Sequence, residues 1–118
     1  MNSVTLIGNL TKDVEVRYSA DSQTAIGRFS LAINSGYGDK KRTDYINIVC
    51  FGKTAENCER FLRKGSKAGV RGRIQTGSYE GKNGKVYTTD VIADEVEFLG
   101  SPESRAQGHY ETYEVTEW

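Results

Sequence analysis

At 118 residues the chain has room for one hydrophobic core but not two. Thirteen glycines, a single proline and many β-branched residues favour a β-rich fold, and no apolar run is long enough to span a membrane or serve as a signal peptide: Val4 to Leu10 is short and broken by Gly8 and Asn9. The formal charge is zero but uneven: residues 1–100 hold 15 Lys/Arg against 12 Asp/Glu (+3), whereas residues 101–118 set Arg105 against Glu103, Glu111, Glu114 and Glu117 (−3). A mildly basic body with an acidic tail is the pattern of a binding domain carrying an interaction tail.

Taken in order, Val4 to Leu10 reads as a first strand that bends at Gly8, and Val14 to Tyr18 resumes the extended pattern. Ser19 to Ser22 is a turn. Thr24 to Asn34 is a second strand, in which Phe29, Leu31 and Ile33 alternate with Arg28, Ser30, Ala32 and Asn34. Ser35 to Arg42 is a loop with Tyr37 at its tip and Lys40, Lys41 and Arg42 at its end.

Thr43 to Phe51 is the third strand. Alternation gives it an apolar face of Ile46, Ile48 and Cys50 and an outward face of Tyr45, Asn47, Val49 and Phe51. Thr54 to Lys64 follows as a short helix, with Thr54 as N-cap, Gly65 at C′, and Ala55, Cys58, Phe61 and Leu62 on its apolar face. Arg60, Arg63 and Lys64 fall in its last turns, where the helix dipole favours cations. Lys67 to Tyr79 is a fourth strand that places Arg71, Arg73, Gln75, Gly77 and Tyr79 on one face. Glu80 to Lys85 is a hairpin loop turning at Asn83-Gly84, and Val86 to Leu99 is the fifth strand. Ser101 to Trp118 loses regular patterning and reads as a mobile tail.

Five strands with one helix between the third and fourth match the OB-fold, a partly open five-stranded barrel, spanning residues 1–100. Basic residues interleaved with outward aromatics suit single-stranded nucleic acid, because cations track phosphates while rings stack on bases whatever the sequence. The weak net charge of the body gives stacking a large share of any affinity.

Several blocks then carry a resemblance: Val4-Thr5-Leu6-Ile7-Gly8-Asn9-Leu10 with Val14-Glu15-Val16-Arg17-Tyr18, Phe51-Gly52-Lys53 with Ala55-Glu56, Phe61 to Ser66, and Tyr87-Thr88-Thr89-Asp90-Val91. In order and spacing, over residues 2–100, they closely resemble the bacterial and phage single-stranded DNA-binding proteins. The resemblance implies an OB-fold homotetramer that coats single-stranded DNA in replication, recombination and repair, without enzymatic activity or cofactor, in the cytoplasm of a bacterium or of a phage-infected host. It puts base stacking on Tyr37, Tyr45, Phe51 and Tyr79 and phosphate contact on Lys53, Arg63 and Lys64; alternation adds Arg71 and Arg73. Two departures stand out. Gly77 and Ser78 occupy positions where many relatives carry Arg or Lys. The tail, with Glu111, Glu114, Glu117 and a terminal Trp118, lacks the long linker and Pro-Phe end through which the family recruits partner proteins, though it is acidic and ends in an aromatic.

Other chemistries find less support. Gly52-Lys53-Thr54 resembles the end of a phosphate-binding loop, but Asn47 stands where that loop needs glycine and a strand occupies the segment between. Asp90, Asp94, Glu95 and Glu97 lack a third metal ligand or a base for nuclease chemistry and read as a solvated sheet face. His109 has no partner in the sequence pattern, and Cys50 and Cys58 lack metal-site spacing; buried thiols in a reducing compartment account for the pair. The rival from another class is an OB-fold adaptor that works through its tail.

Overall fold

A computed structural model describes residues 1–100. It contains β1 (Val4–Leu10), β2 (Glu15–Tyr18), β3 (Ala25–Ser35), a 3₁₀ turn (Gly38–Lys40), β4 (Arg42–Phe51), α1 (Gly52–Phe61), β5 (Lys67–Gly81) and β6 (Gly84–Gly100). The strands lie in the order β1-β5-β6-β4-β3-β2, and a further pairing of β1 with β3 closes the first five into a ring. β2 stays outside the ring, on the edge of β3. This is the OB-fold barrel expected from the sequence, with one extra edge strand.

Two short pairings make the closure. β1 runs antiparallel to β5 from Val4 to Asn9, then passes to β3 through Asn9↔Ala32 and Leu10↔Leu31. The crossing is at Gly8, where a Cβ atom would stand 2.6 Å from the Ala32 carbonyl oxygen, so only glycine lets the strands approach. On the other side, β4 and β6 meet in parallel through Ile48↔Val91 and Val49↔Ile92.

The inward faces supply the core: Leu10, Phe29, Leu31, Ile48, Cys50, Ala68, Val70 and Val91 are buried. Complete burial of side chains such as Leu31 and Ile48 contributes about 1.5–3 kcal/mol each. α1 lays Ala55 and Cys58 against this core, followed by Leu62 just past its end. Gly27 makes room for it, since a Cβ there would lie 3.1 Å from both the Ala55 Cβ and the Cys50 Sγ.

The helix is shorter at its C-terminal end than the pattern suggested. It starts at Gly52, whose φ of +62° turns the chain out of β4, with Phe51 rather than Thr54 at the N-cap. It ends at Phe61 because the next residues bond elsewhere. The Gly65 N–H donates to the Leu10 carbonyl (2.9 Å), the Leu10 N–H donates to the Ser66 carbonyl (2.9 Å), and the Arg63 N–H donates to the Ser66 hydroxyl (2.9 Å). The chain is thereby drawn onto the end of β1. Phe61, expected on the buried face, is 54% exposed and stacks obliquely on Phe98 with ring centroids 5.6 Å apart.

β5 and β6 outrun the barrel. β1 pairs with β5 no further than Gly72, and β4 meets β6 only at Val91 and Ile92. The remaining ladder, from Gln75↔Asp90 to Gly81↔Gly84, projects as a two-stranded arm. Its turn is Lys82-Asn83, one residue earlier than the Asn83-Gly84 signal implied, with Gly84 at φ +121° re-entering the strand. Asn2 pins the base: its side-chain amide accepts from the Ile74 N–H and donates to the Ile74 carbonyl, both at 2.8 Å, extending the β1 ladder beyond Val4.

A register shift between Arg71 and Gly72 marks where β5 parts from β1. A Cβ on Gly72 would fall 1.9 Å from the Ile92 carbonyl oxygen, with backbone atoms behind it that cannot move aside singly. Gly72→Ala is expected to lower unfolding stability by about 2 kcal/mol or more, read as a fall in the urea midpoint at unchanged slope.

Candidate nucleic-acid interface

The outer face of β4 carries Tyr45, Asn47, Val49 and Phe51, matched across the ladder by Ala32, Ser30, Arg28 and Ile26 on β3. Small Ala32 beside Tyr45 leaves that ring open, and it is 67% exposed; Phe51, at the far end of the strand, is 46% exposed. Six residues of extended chain set the two rings roughly 20 Å apart. Val49 departs from the expectation of an exposed face. It is buried, as is Ile92, because the parallel pairing places these two side by side between Arg28 and Arg73. The floor beside Phe51 is therefore apolar at Val49, with exposed Asn47 between Val49 and Tyr45.

The same face continues up the arm. Arg73, Gln75, Gly77 and Tyr79 follow one another on β5, opposite Ile92, Asp90, Thr88 and Val86 on β6. Tyr79 is 59% exposed. Tyr45, Phe51 and Tyr79 thus share one side of the sheet. Tyr37 stands apart from the strands, at the entry to the 3₁₀ turn between β3 and β4, with its ring almost wholly exposed.

The cations are dispersed. Lys53 lies in the first turn of α1, next to Phe51, and is exposed. Arg63 and Lys64 lie beyond the helix, about 15 Å further along its axis. The Arg63 guanidinium donates to the Glu59 and Leu62 carbonyls, both at 2.8 Å, and so caps the helix end. The Lys64 backbone N–H donates to the Asp13 carboxylate at 2.8 Å. Arg71 is ion-paired with Glu95, and Arg73 lies 3.6 Å from Asp94. Arg71 also lines a separate groove with Thr5, Glu95 and Glu97, away from Tyr45 and Phe51. The tail positions Glu111, Glu114, Glu117 and Trp118, like His109, lie outside the described residues.

Sequence reasoning passed over Tyr87. It is 75% exposed and carries the Lys85 ammonium 5.9 Å from its ring centre, on the arm face opposite Tyr79. Alternation assigns Tyr87 to the same set as buried Val91. That parity means burial only while the strand lines the barrel, and Tyr87 lies beyond it.

Neither cysteine is placed to act as a nucleophile. Both are fully buried, the Cys50 thiol donates to the Gly27 carbonyl at 3.7 Å, and the Cys58 thiol is pushed far up by its hydrogen bond with Cys50 and by burial. Among the described residues no group of three His, Cys, Asp or Glu side chains is arranged to hold a metal, and no helix is long and apolar enough to cross a membrane.

A barrel of this class takes up oligonucleotides or oligosaccharides on its strand faces and loops, and here one face bears open aromatic rings edged with cations. Comparison with known proteins narrows the class. Residues 1–99 match the single-strand binding protein family. The chain is 44% identical over 110 residues to the single-stranded DNA-binding protein of Clostridium perfringens, which covers 92% of this chain and 73% of that one. It is 47% identical over 113 residues to single-stranded DNA-binding protein 3 of Listeria innocua, covering 92% and 69%, and 47% identical over 103 residues to the Bacillus cereus protein, covering 84% and 60%. The chain belongs to the single-strand binding protein family.

The arm that carries Tyr79 depends on its clamp. In Asn2→Ala the Ile74 N–H loses its acceptor, so amide exchange at Ile74 should accelerate and spread toward Tyr79. Global stability should change by less than about 1 kcal/mol, since the clamp is solvent-exposed.

Proposed function

We propose that this chain binds single-stranded DNA without sequence preference and has no catalytic activity. Family membership supports the ligand class. The observation that carries the mode of binding is the set of open rings, Tyr45, Phe51 and Tyr79, on one side of a continuous sheet, with Tyr37 in the adjoining loop. Bases stack on these four rings, and sequence tolerance follows because every base offers a π-face.

Phosphates are neutralised by Lys53, Arg63 and Lys64. Arg71 and Arg73 contribute less, because each already faces a carboxylate that a phosphate must displace. Binding of this kind serves to coat and protect exposed strands in replication, recombination and repair. The chain acts as a homotetramer in the cytoplasm, and its acidic tail, Glu111, Glu114, Glu117 and Trp118, meets replication or repair proteins. The open outer edge of β1 from Val4 to Gly8 supports self-association, since an unpaired strand edge is a template for a second copy.

Titration of a Trp118→Phe protein with oligo-dT, followed by tyrosine fluorescence, tests the reading. Saturable quenching by single strands with little response to equal-length duplex is the expected result. No preference for single strands would remove the proposal and favour an adaptor acting through its tail. In the same assay, Tyr45→Ala, Phe51→Ala and Tyr79→Ala should each weaken binding by about 5- to 160-fold, the equivalent of roughly 1–3 kcal/mol per stacked base. Wild-type affinity in a folded variant would remove that ring from the site.

A further inference from the structure

The arginines among the described residues divide into two groups by what they already touch. Arg42, Arg71 and Arg73 face carboxylates, Arg60 lies over the Phe61 ring, and Arg63 donates to helix carbonyls that leave its positive charge uncancelled. Arg17 and Arg28 are exposed and form no ion pair among the described residues.

Register places both against the aromatic face. Arg17 on β2 is opposite Ile26, which is opposite Phe51; Arg28 on β3 is opposite Val49, two residues from Phe51 and four from Tyr45. Two adjoining grooves follow this line. One, of about 340 Å³, is lined by Glu15, Arg17, Ile26 and Arg28. The next, of about 250 Å³, shares Glu15 and Arg28 and runs over Ser30, Asn47 and Val49 to Asp90, with Lys12 at its rim. The grooves thus extend from beside Phe51 to the residue next but one to Tyr45.

We propose that Arg17 and Arg28 form a phosphate track for the stretch of strand whose bases lie on Phe51 and Tyr45, resting on the single-stranded DNA reading above. A strand stacked on both rings has to carry its phosphates across the intervening β4 floor, which is apolar at Val49. On its β3 side Arg28 is the nearest cation, and on the β6 side the matching cation, Arg73, faces Asp94. Glu15, beside Arg28, and Asp90, across the groove, are the charges that oppose a phosphate there. Two free guanidinium groups outweigh one neighbouring carboxylate on the β2–β3 side and turn toward an incoming phosphate without breaking an existing pair. The track also supplies charge that Gly77 and Ser78 do not provide on the arm.

The experiment is the salt dependence of oligo-dT binding, plotted as log affinity against log salt. Removing one cation that neutralises a phosphate of a single strand reduces the slope by about 0.7. Arg17→Gln/Arg28→Gln should therefore flatten the slope by about 1.4 and each single variant by about half that, while Arg17→Lys/Arg28→Lys keeps the wild-type slope. Arg71→Gln/Arg73→Gln should flatten it less. Both positions are exposed, and circular dichroism with a urea midpoint confirms folding; the single variants carry the test if the double variant fails to fold. If wild type binds but the Gln variants keep its slope, or flatten it no more than Arg71→Gln/Arg73→Gln, the track is wrong and the stacking site stands. If wild type shows no single-strand binding, both fall.

Discussion

The parallel contact of Ile48 and Val49 with Val91 and Ile92 is the constraint on which the rest of the structure depends. Without it, β3-β4 and β1-β5-β6 would form an open, strongly twisted sheet with one face in water. With it, Ile48 and Val91 are buried inside, and α1 closes the end of the barrel with Ala55 and Cys58. The same contact governs the outside. It buries Val49 and Ile92 beside each other and so makes the outer face apolar between Phe51 and Asn47. Because the pairing is so brief, it also leaves most of β6 free to run with β5 into solvent.

Much of this was legible in the sequence, for a physical reason. Alternation over Thr43 to Phe51 identifies the inner and outer faces wherever a strand borders the core, and glycine at position 8 marks the bend between two pairings. What escaped the reading lies where local pattern and tertiary environment part. Val49 has an outward parity yet is buried by a neighbour distant in sequence, and Tyr87 has an inward parity yet lies past the end of the core. Phe61 follows helical spacing but falls at the helix end, where backbone bonds to β1 redirect the chain. Of the candidate site, Tyr45, Phe51 and Tyr79 could be placed by alternation, whereas Tyr37, in a loop, came from the family resemblance alone. The state of the cations could not, because ion pairs such as Arg71 with Glu95 and Arg73 with Asp94 depend on the β5–β6 register and its shift at Gly72.

The distribution of charge explains how a chain with no net charge can suit a polyanion. Surface arginines paired with carboxylates contribute little to the field beyond a Debye length, whereas unpaired ones act at closer range on whatever enters the groove. The β2–β3 surface and the first turn of α1 hold such groups beside the rings, and the β1–β5–β6 surface holds its guanidinium groups against acids. Zero net charge thus conceals two surfaces of different character.

The arm is also a lever. Tyr79 stands five residues beyond Ile74, the last β5 position whose partner also pairs with β4, so a rotation of about 10° there carries the ring, roughly 16 Å away, through about 3 Å. That displacement is about the thickness of one aromatic ring. A two-stranded ribbon has little stability of its own, and the two hydrogen bonds between Asn2 and Ile74 act close to the fulcrum, where they have little leverage against displacement of the far end. A rotation of that kind would shift the Tyr79 ring without any change in the barrel, whereas Tyr45 and Phe51 stand on β4, which is paired along its whole length with β3.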